Sequence, residues 1–234
     1  MILAVAALLV FESGAVDSIA IDAGTREVIE RKWPDAERPI PVGSLVKPFT
    51  ALAYSGEFPE YTCTGRRCWL ARGHGRLKFR AALAVSCNEY FLNLARGVDP
   101  QTLAVVAAKF GLTAPSEDSP EARIGLGTSW AVTPVGLARA YAELAARSGE
   151  PRVGEILAGL KMAAESGTAS AVGRGAMAKT GTAPCVSERR DAGDGFALVI
   201  DPAEAPRRVL LVRVHGAPGA EAAKSARDIL RKWK

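Results

Sequence analysis

Histidine is scarce in this chain: His74 and His215 are the only two among 234 residues. Neither has metal-ligand spacing, so the sequence reads as having no metal site, and no cofactor motif stands in for one. His74, in Gly73-His74-Gly75, has no Asp or Glu partner pattern and reads as a loop hydrogen-bonding residue. Aromatics are 6%, and Lys and Arg are dispersed among Asp and Glu apart from pairs such as Arg66-Arg67 and Arg189-Arg190. The net charge of +5 is therefore read as a solvated basic surface, and nucleic acid is disfavoured as a partner. Long apolar runs are missing too. The run Ile2–Phe11 has ten residues, too few to span a bilayer. With small residues at Ser13-Gly14-Ala15, it matches a signal-peptide core, although a charged leading region is missing. Residues 1–15 are thus expected to be a signal peptide or an N-terminal apolar helix, and the chain to be exported to the periplasm or cell envelope.

Cysteine is sparse but even in number, at four. Cys63 and Cys68 flank Thr64-Gly65-Arg66-Arg67, a spacing that permits a small-loop disulfide in an oxidising compartment. Cys87 and Cys185 read as small buried side chains. With 48% hydrophobic and 24% charged residues, the chain can bury one sizeable core, built as two lobes.

Against this background three short motifs stand in order: Ser44-Leu45-Val46-Lys47, Ser86-Cys87-Asn88 and Lys179-Thr180-Gly181. The composition predicts roughly half an S-x-x-K by chance, an S-x-N about one time in ten and a K-T-G about one time in twenty. The ordered set is an accident well below about one in a hundred.

Local patterning places the motifs. Ala15–Ile21 and Glu27–Trp33 read as a hairpin across Asp22-Ala23-Gly24-Thr25. Ser44 opens an apolar helical run to Tyr54, which puts Ser44 and Lys47 one turn apart on one face. Leu77–Leu94 is helical but interrupted around Ser86. Further helices are predicted at Pro100–Phe110, Thr133–Arg147 and Val153–Glu165, with a loop over Thr113–Ser129. Strands follow at Ala176–Thr182, Gly195–Ile200 and Arg208–Val214, then a helix over Glu221–Trp233. The fold expected is α/β (α+β): an antiparallel sheet of about five strands built from both chain ends, with helices packed on it and an all-α lobe inserted. Residues 16–55 and 150–234 would form the α/β lobe, and residues 56–149 the helical one.

A serine hydroxyl needs an adjacent base. Lys47 can reach Ser44, but only a desolvated lysine, or one beside a second cation such as Lys179, serves as base near neutral pH. Ser86 could relay a proton, and the Asn88 amide could hold a peptide carbonyl. Gly181 would let a substrate backbone approach a strand edge, while Thr180 and Thr182 suit a terminal carboxylate. The backbone N–H groups of Ser44 and Thr182 would make the oxyanion hole.

These motifs, with the stretches PVGSLVKPFTAL, GHGRLKFRAALAVSCNEYF, VTPVGLARAYAELAA and ESGTASAVGRGAMAKTGTA, resemble the transpeptidase domain of class B penicillin-binding proteins, within the serine β-lactamase and D,D-peptidase superfamily. The resemblance implies a β-lactamase/transpeptidase-like fold and an acyl-serine mechanism on D-Ala-D-Ala stem peptides of peptidoglycan. It also implies β-lactams as inhibitors, and an envelope protein supplying the N-terminal module that class B proteins carry. Cys63 and Cys68 resemble a cysteine pair that some members have. A D,D-carboxypeptidase, a serine β-lactamase and a non-catalytic β-lactam sensor are the alternatives. A class A β-lactamase needs a Glu between the second and third motifs, and Glu143, Glu150, Glu155 and Glu165 lie there outside the family's loop pattern.

Overall fold

The computed structural model describes residues 15–184 and 193–233. The apolar segment 1–14, Cys185 and the Arg189-Arg190 pair lie outside the described residues.

The first hairpin forms as its pattern predicts. Strands β1 (Val16–Asp22) and β2 (Val28–Lys32) pair antiparallel. The turn is closed by Asp22, whose carboxylate accepts from the Gly24 and Thr25 amides at 2.9 and 2.8 Å, the local bonding that makes Asp a turn residue. A short strand β3 (Ile40–Pro41) leads to a 3-10 turn, Gly43–Val46, which runs into helix α1 (Lys47–Ala53). A second small hairpin, β4 (Tyr61–Cys63) with β5 (Gly75–Leu77), precedes helices α2 (Phe79–Ala84) and α3 (Asn88–Arg96). Helix α4 (Pro100–Lys109) begins at Asp99, whose side chain accepts from the Thr102 amide. The predicted loop after it contains the single-turn helix α5 (Pro120–Arg123) and strand β6 (Ala131–Val132), which pairs with β3. Helices α6 (Pro134–Ala146) and α7 (Pro151–Ser166) both start with proline, whose missing N–H is harmless there. Strands β7 (Met177–Ala183), β8 (Asp194–Asp201) and β9 (Arg208–Val214) and helix α8 (Gly219–Arg231) complete the chain.

The main sheet is five-stranded and antiparallel, in the order β2-β1-β9-β8-β7. Its inner strands are buried on both faces, so they read as continuous apolar runs rather than as alternation. Ile19, Ile21, Phe196, Leu198, Val209 and Leu211 face the larger core, shared with α1, α3 and α6. Ala20, Ala197, Val199, Leu210 and Val212 face a second core under α8. Alanine on that face lets α8 pack close to β8 and β9. Helix α6 touches β1, β9 and β8, so it covers the sheet, although the sequence reading assigned it to the inserted lobe. No helix among the described residues is long and apolar enough to cross a membrane.

Strand β7 forms one edge of the sheet and packs on the 3-10 turn. Gly43 makes that contact possible. It has φ +58°, and a Cβ there would sit 2.3 Å from the Thr182 carbonyl oxygen. Gly43→Ala should therefore cost about 2–4 kcal/mol, through left-handed strain and overpacking together. Urea denaturation measures this; a midpoint unchanged from wild type would mean that the turn and the strand are not locked together.

Candidate active site

The three motifs converge on one cleft of about 310 Å³, lined by Ser44, Ser86, Asn88, Thr180, Gly181 and Thr182 together with Trp69, Thr168 and the start of α8. Ser44 lies in the 3-10 turn, half-buried, and Lys47 one turn on is fully buried at the start of α1. Ser86 occupies the break between α2 and α3 with φ +52°, a conformation that costs a residue with a side chain about 1–3 kcal/mol. That strain is held from three sides: the Ser86 amide donates to Leu83 at 3.1 Å, the Cys87 amide donates to Ala82 at 2.9 Å, and the Ser86 carbonyl accepts from Lys47 Nζ at 3.0 Å. The break turns the Ser86 hydroxyl into the cleft.

Two lysines meet at that hydroxyl. Lys179 Nζ lies 2.8 Å from Ser86 Oγ and Lys47 Nζ 3.3 Å from it, and Lys47 also donates to Asn88 Oδ1 at 2.7 Å. Both side chains are 0% exposed, and among the described residues no carboxylate forms an ion pair with either. Burial without a counter-charge favours the neutral amine and acceptor contacts favour the ammonium. Burial wins at Lys47, bringing it down to about 7 against a small opposing pull from Cys87 and Cys68. Lys179 is pushed well below the usual lysine range, first by burial and then by the charge of Lys47. Lys47 therefore exchanges its proton near neutrality, with the Ser86 hydroxyl between the two amines as acceptor and donor.

The third motif serves the turn that carries Ser44 as well as the cleft. A Cβ on Gly181 would sit 2.4 Å from the Val42 carbonyl oxygen, so its glycine is required by packing on the turn that carries Ser44. Thr182 Oγ1 accepts from the Gly219 amide at 3.2 Å, and Thr180 Oγ1 bonds Thr168 Oγ1 at 2.5 Å. The sequence reading missed Thr168, Trp69 and the N-terminus of α8; only the fold brings these segments to the cleft. It also missed Glu89. Burial pushes that carboxyl up, but donors from Cys63 and from Thr64 and Gly65 outweigh it and hold the acid below its usual range. Its one sequence signal was an acid in the first turn of a helix.

Two expectations about cysteine change here. Cys63 and Cys68 carry free thiols, as does Cys87, so the small-loop disulfide is not formed. The backbone aims both sulfurs at a common centre instead of at each other: His74 Nδ1 lies 3.6 Å from Cys63 Sγ and 3.5 Å from Cys68 Sγ, and Cys68 Sγ lies 3.8 Å from Cys87 Sγ. These four ligand atoms lie within 4.8 Å of one another, so the expectation of no metal-ligand set gives way to a group that could hold a cation. The usable signal was the spacing C-x4-C-x5-H-x12-C, which needs one histidine rather than two.

The profile of the penicillin binding protein transpeptidase domain matches residues 66–233, starting after the first motif. No curated protein matches the chain. Among solved structures, penicillin-binding protein 2 of Pseudomonas aeruginosa in complex with WCK 5153 superposes with a TM-score of 0.78 at 19% identity, over 94% of this chain and 71% of that one. The D,D-transpeptidase domain of a peptidoglycan glycosyltransferase from Eggerthella lenta gives 0.78 at 17% identity, over 95% and 78%. Penicillin-binding protein 3 of Mycobacterium tuberculosis complexed with ampicillin gives 0.71 at 19% identity, over 93% and 71%. All three share the fold.

The lysine pair has a direct readout. In a 13C-labelled-lysine NMR titration, Lys47 should titrate near 7, with the ammonium below that pH and the amine above it. A spectrum in which every lysine titrates above about 10, the ordinary range, would refute the description of the pair.

Proposed function

We propose, since this chain belongs to the penicillin-binding protein transpeptidase-domain family, that Ser44 is the nucleophile of a D,D-transpeptidase acting on peptidoglycan stem peptides. The observation that carries the reading is the meeting of Lys47 and Lys179 at the Ser86 hydroxyl, in the cleft that Ser44 lines. As neutral amine, Lys47 takes the Ser44 proton while Ser44 Oγ attacks the penultimate D-Ala carbonyl. The backbone N–H groups of Ser44 and Thr182 receive the oxyanion. Collapse of the tetrahedral intermediate breaks the peptide bond, and the leaving D-Ala amine takes a proton through Ser86. The acyl group stays on Ser44 until an amine of a neighbouring strand accepts it. Among the described residues no strand pairs with the outer edge of β7, where an extended substrate backbone would pair. The D-Ala carboxylate would lie against Thr182 and the positive end of α8, whose first residues line the cleft. Such a substrate places the domain in the periplasm or cell envelope, where β-lactams would acylate Ser44. An envelope partner carrying a further module belongs to the same proposal.

The alternatives differ in what removes the acyl group. Water-driven turnover needs a base for the attacking water; among the described residues no Asp, Glu or His lines the cleft, which leaves the lysine pair as the only bases there. Of the four glutamates weighed above, Glu143 pairs with Arg26 and Arg147, Glu150 with Arg147 and Glu155 with Arg80, while Glu165 is exposed. A long-lived acyl-enzyme is therefore favoured over a β-lactamase that deacylates through a glutamate base.

Intact-mass spectrometry after incubation with a fluorescent penicillin tests this. The wild type should gain one adduct that persists for many minutes, and Ser44→Ala should gain none. The acylation rate should rise with pH to a plateau above about 7, as Lys47 becomes the free amine, and Lys47→Ala should lower it roughly 10²–10⁴-fold. An unlabelled wild type, or label retained by Ser44→Ala, would sink the proposal. Rapid loss of the adduct would move the assignment to β-lactamase.

A further inference from the structure

The loop between β4 and β5 carries residues 64–74, and its sulfur and nitrogen atoms meet Cys87 of the second motif. Tetrahedral zinc, with Zn–S of about 2.3 Å and Zn–N of about 2.0–2.1 Å, sets its sulfurs about 3.8 Å apart and each sulfur about 3.5–3.6 Å from the nitrogen. The measured separations are 3.8 Å for Cys68 Sγ to Cys87 Sγ, 3.6 Å for Cys63 Sγ to His74 Nδ1 and 3.5 Å for Cys68 Sγ to His74 Nδ1. A disulfide at about 2.05 Å does not fit the Cys68–Cys87 spacing. One further observation points the same way. Cys87 is the N-cap of α3, its sulfur accepting from the Tyr90 amide at 3.4 Å. A neutral thiol is a weak acceptor for that position, where Ser, Thr, Asp and Asn are preferred.

We infer that Cys63, Cys68, Cys87 and His74 bind one zinc ion, as three thiolates and a neutral imidazole in a closed, structural site. Soft sulfur ligands in tetrahedral array select zinc over hard cations. Binding releases the thiol protons to solvent, including the one Cys63 donates to Glu89; that carboxylate keeps its donors from Thr64 and Gly65. The ion would tie the loop to the Ser86-Cys87-Asn88 segment. It would also fix Trp69, which follows Cys68, lines the cleft and donates to the Val85 carbonyl at 3.1 Å. This makes the cleft wall a metal-supported element.

The full chain, stripped of metal under reducing conditions, is titrated with zinc alone and with cobalt(II) alone. Native mass spectrometry should find one zinc per chain, bound well below micromolar concentration. The cobalt form should show thiolate charge-transfer absorption and the visible bands of a tetrahedral ion. Cys68→Ser and His74→Ala should each weaken zinc binding by more than the roughly 10–100-fold that a lost outer-shell contact costs. Failure to bind zinc at micromolar concentration, a disulfide among the three cysteines in the native chain, or both variants binding like wild type would each overturn the inference. Should either variant unfold, the wild-type cobalt spectrum decides, and absence of the charge-transfer band refutes the site. The link to the cleft rests on the transpeptidase reading: removing zinc should slow acylation of Ser44 by roughly 10-fold or more. If the zinc-loaded chain takes no penicillin, that reading fails while the metal titration stands by itself.

Discussion

Two lysine side chains buried side by side, with no carboxylate partner among the described residues, set the terms for the rest of this molecule. A lone buried ammonium is among the costliest groups a fold can hold. Here Lys47 and Lys179 share one hydroxyl, Ser86 Oγ, and otherwise touch the Asn88 side-chain oxygen and the main-chain oxygens of Ser86 and Thr180. A carboxylate would have relieved the repulsion and fixed both protons in place. Leaving it out lets Lys47 give up its proton near neutrality, which is what a base for a serine hydroxyl requires. The strain at Ser86 belongs to the same design, since a helical Ser86 would follow the α2 axis and would not lie between the two amines.

The arrangement also explains why the chain closes its sheet from both ends. Lys47 follows the Ser44 turn in the first part of the chain and Lys179 sits on an edge strand in the last part, so they meet only if β7 lies against that turn. The interface is backbone on backbone: side chains at positions 43 and 181 would strike Thr182 and Val42. Gly181 thus has a structural reason that precedes any substrate. A contact of this kind tolerates little adjustment, because peptide groups cannot change rotamer as packed side chains can.

The parts of this architecture written in local pattern were legible from sequence. Turn chemistry at Asp22, prolines at the starts of α4 and α6, and long apolar strand runs gave the element order, and the motif order gave the cleft. Strands of two or three residues, β3 to β6, are too short to show a period. The layer that α6 occupies depends on its partners, because an apolar stripe shows that a helix is buried and not what it is buried against. Glu89 and Thr168 act through residues far away in sequence. The sulfur cluster was hidden for a related reason. Its ligands come from a strand end, a loop, the residue before a strand and a helix cap, and the close spacing of Cys63 and Cys68 pointed to a disulfide that the structure does not contain.

Cys87 shows how closely these features depend on one another. It follows the strained Ser86, caps α3, and contributes its sulfur to the cluster on the far side of the loop. As a neutral thiol it would be a poor choice for the first role and an idle one for the third. As a metal-bound thiolate its sulfur carries negative charge at a helix N-terminus, where the macrodipole favours it, and still has lone pairs for the Tyr90 amide. The same charge would hold the loop that walls the cleft. One residue then accounts for the geometry on both sides of Ser86: the lysines fix its hydroxyl from within the cleft, and the sulfur cluster fixes its backbone from behind.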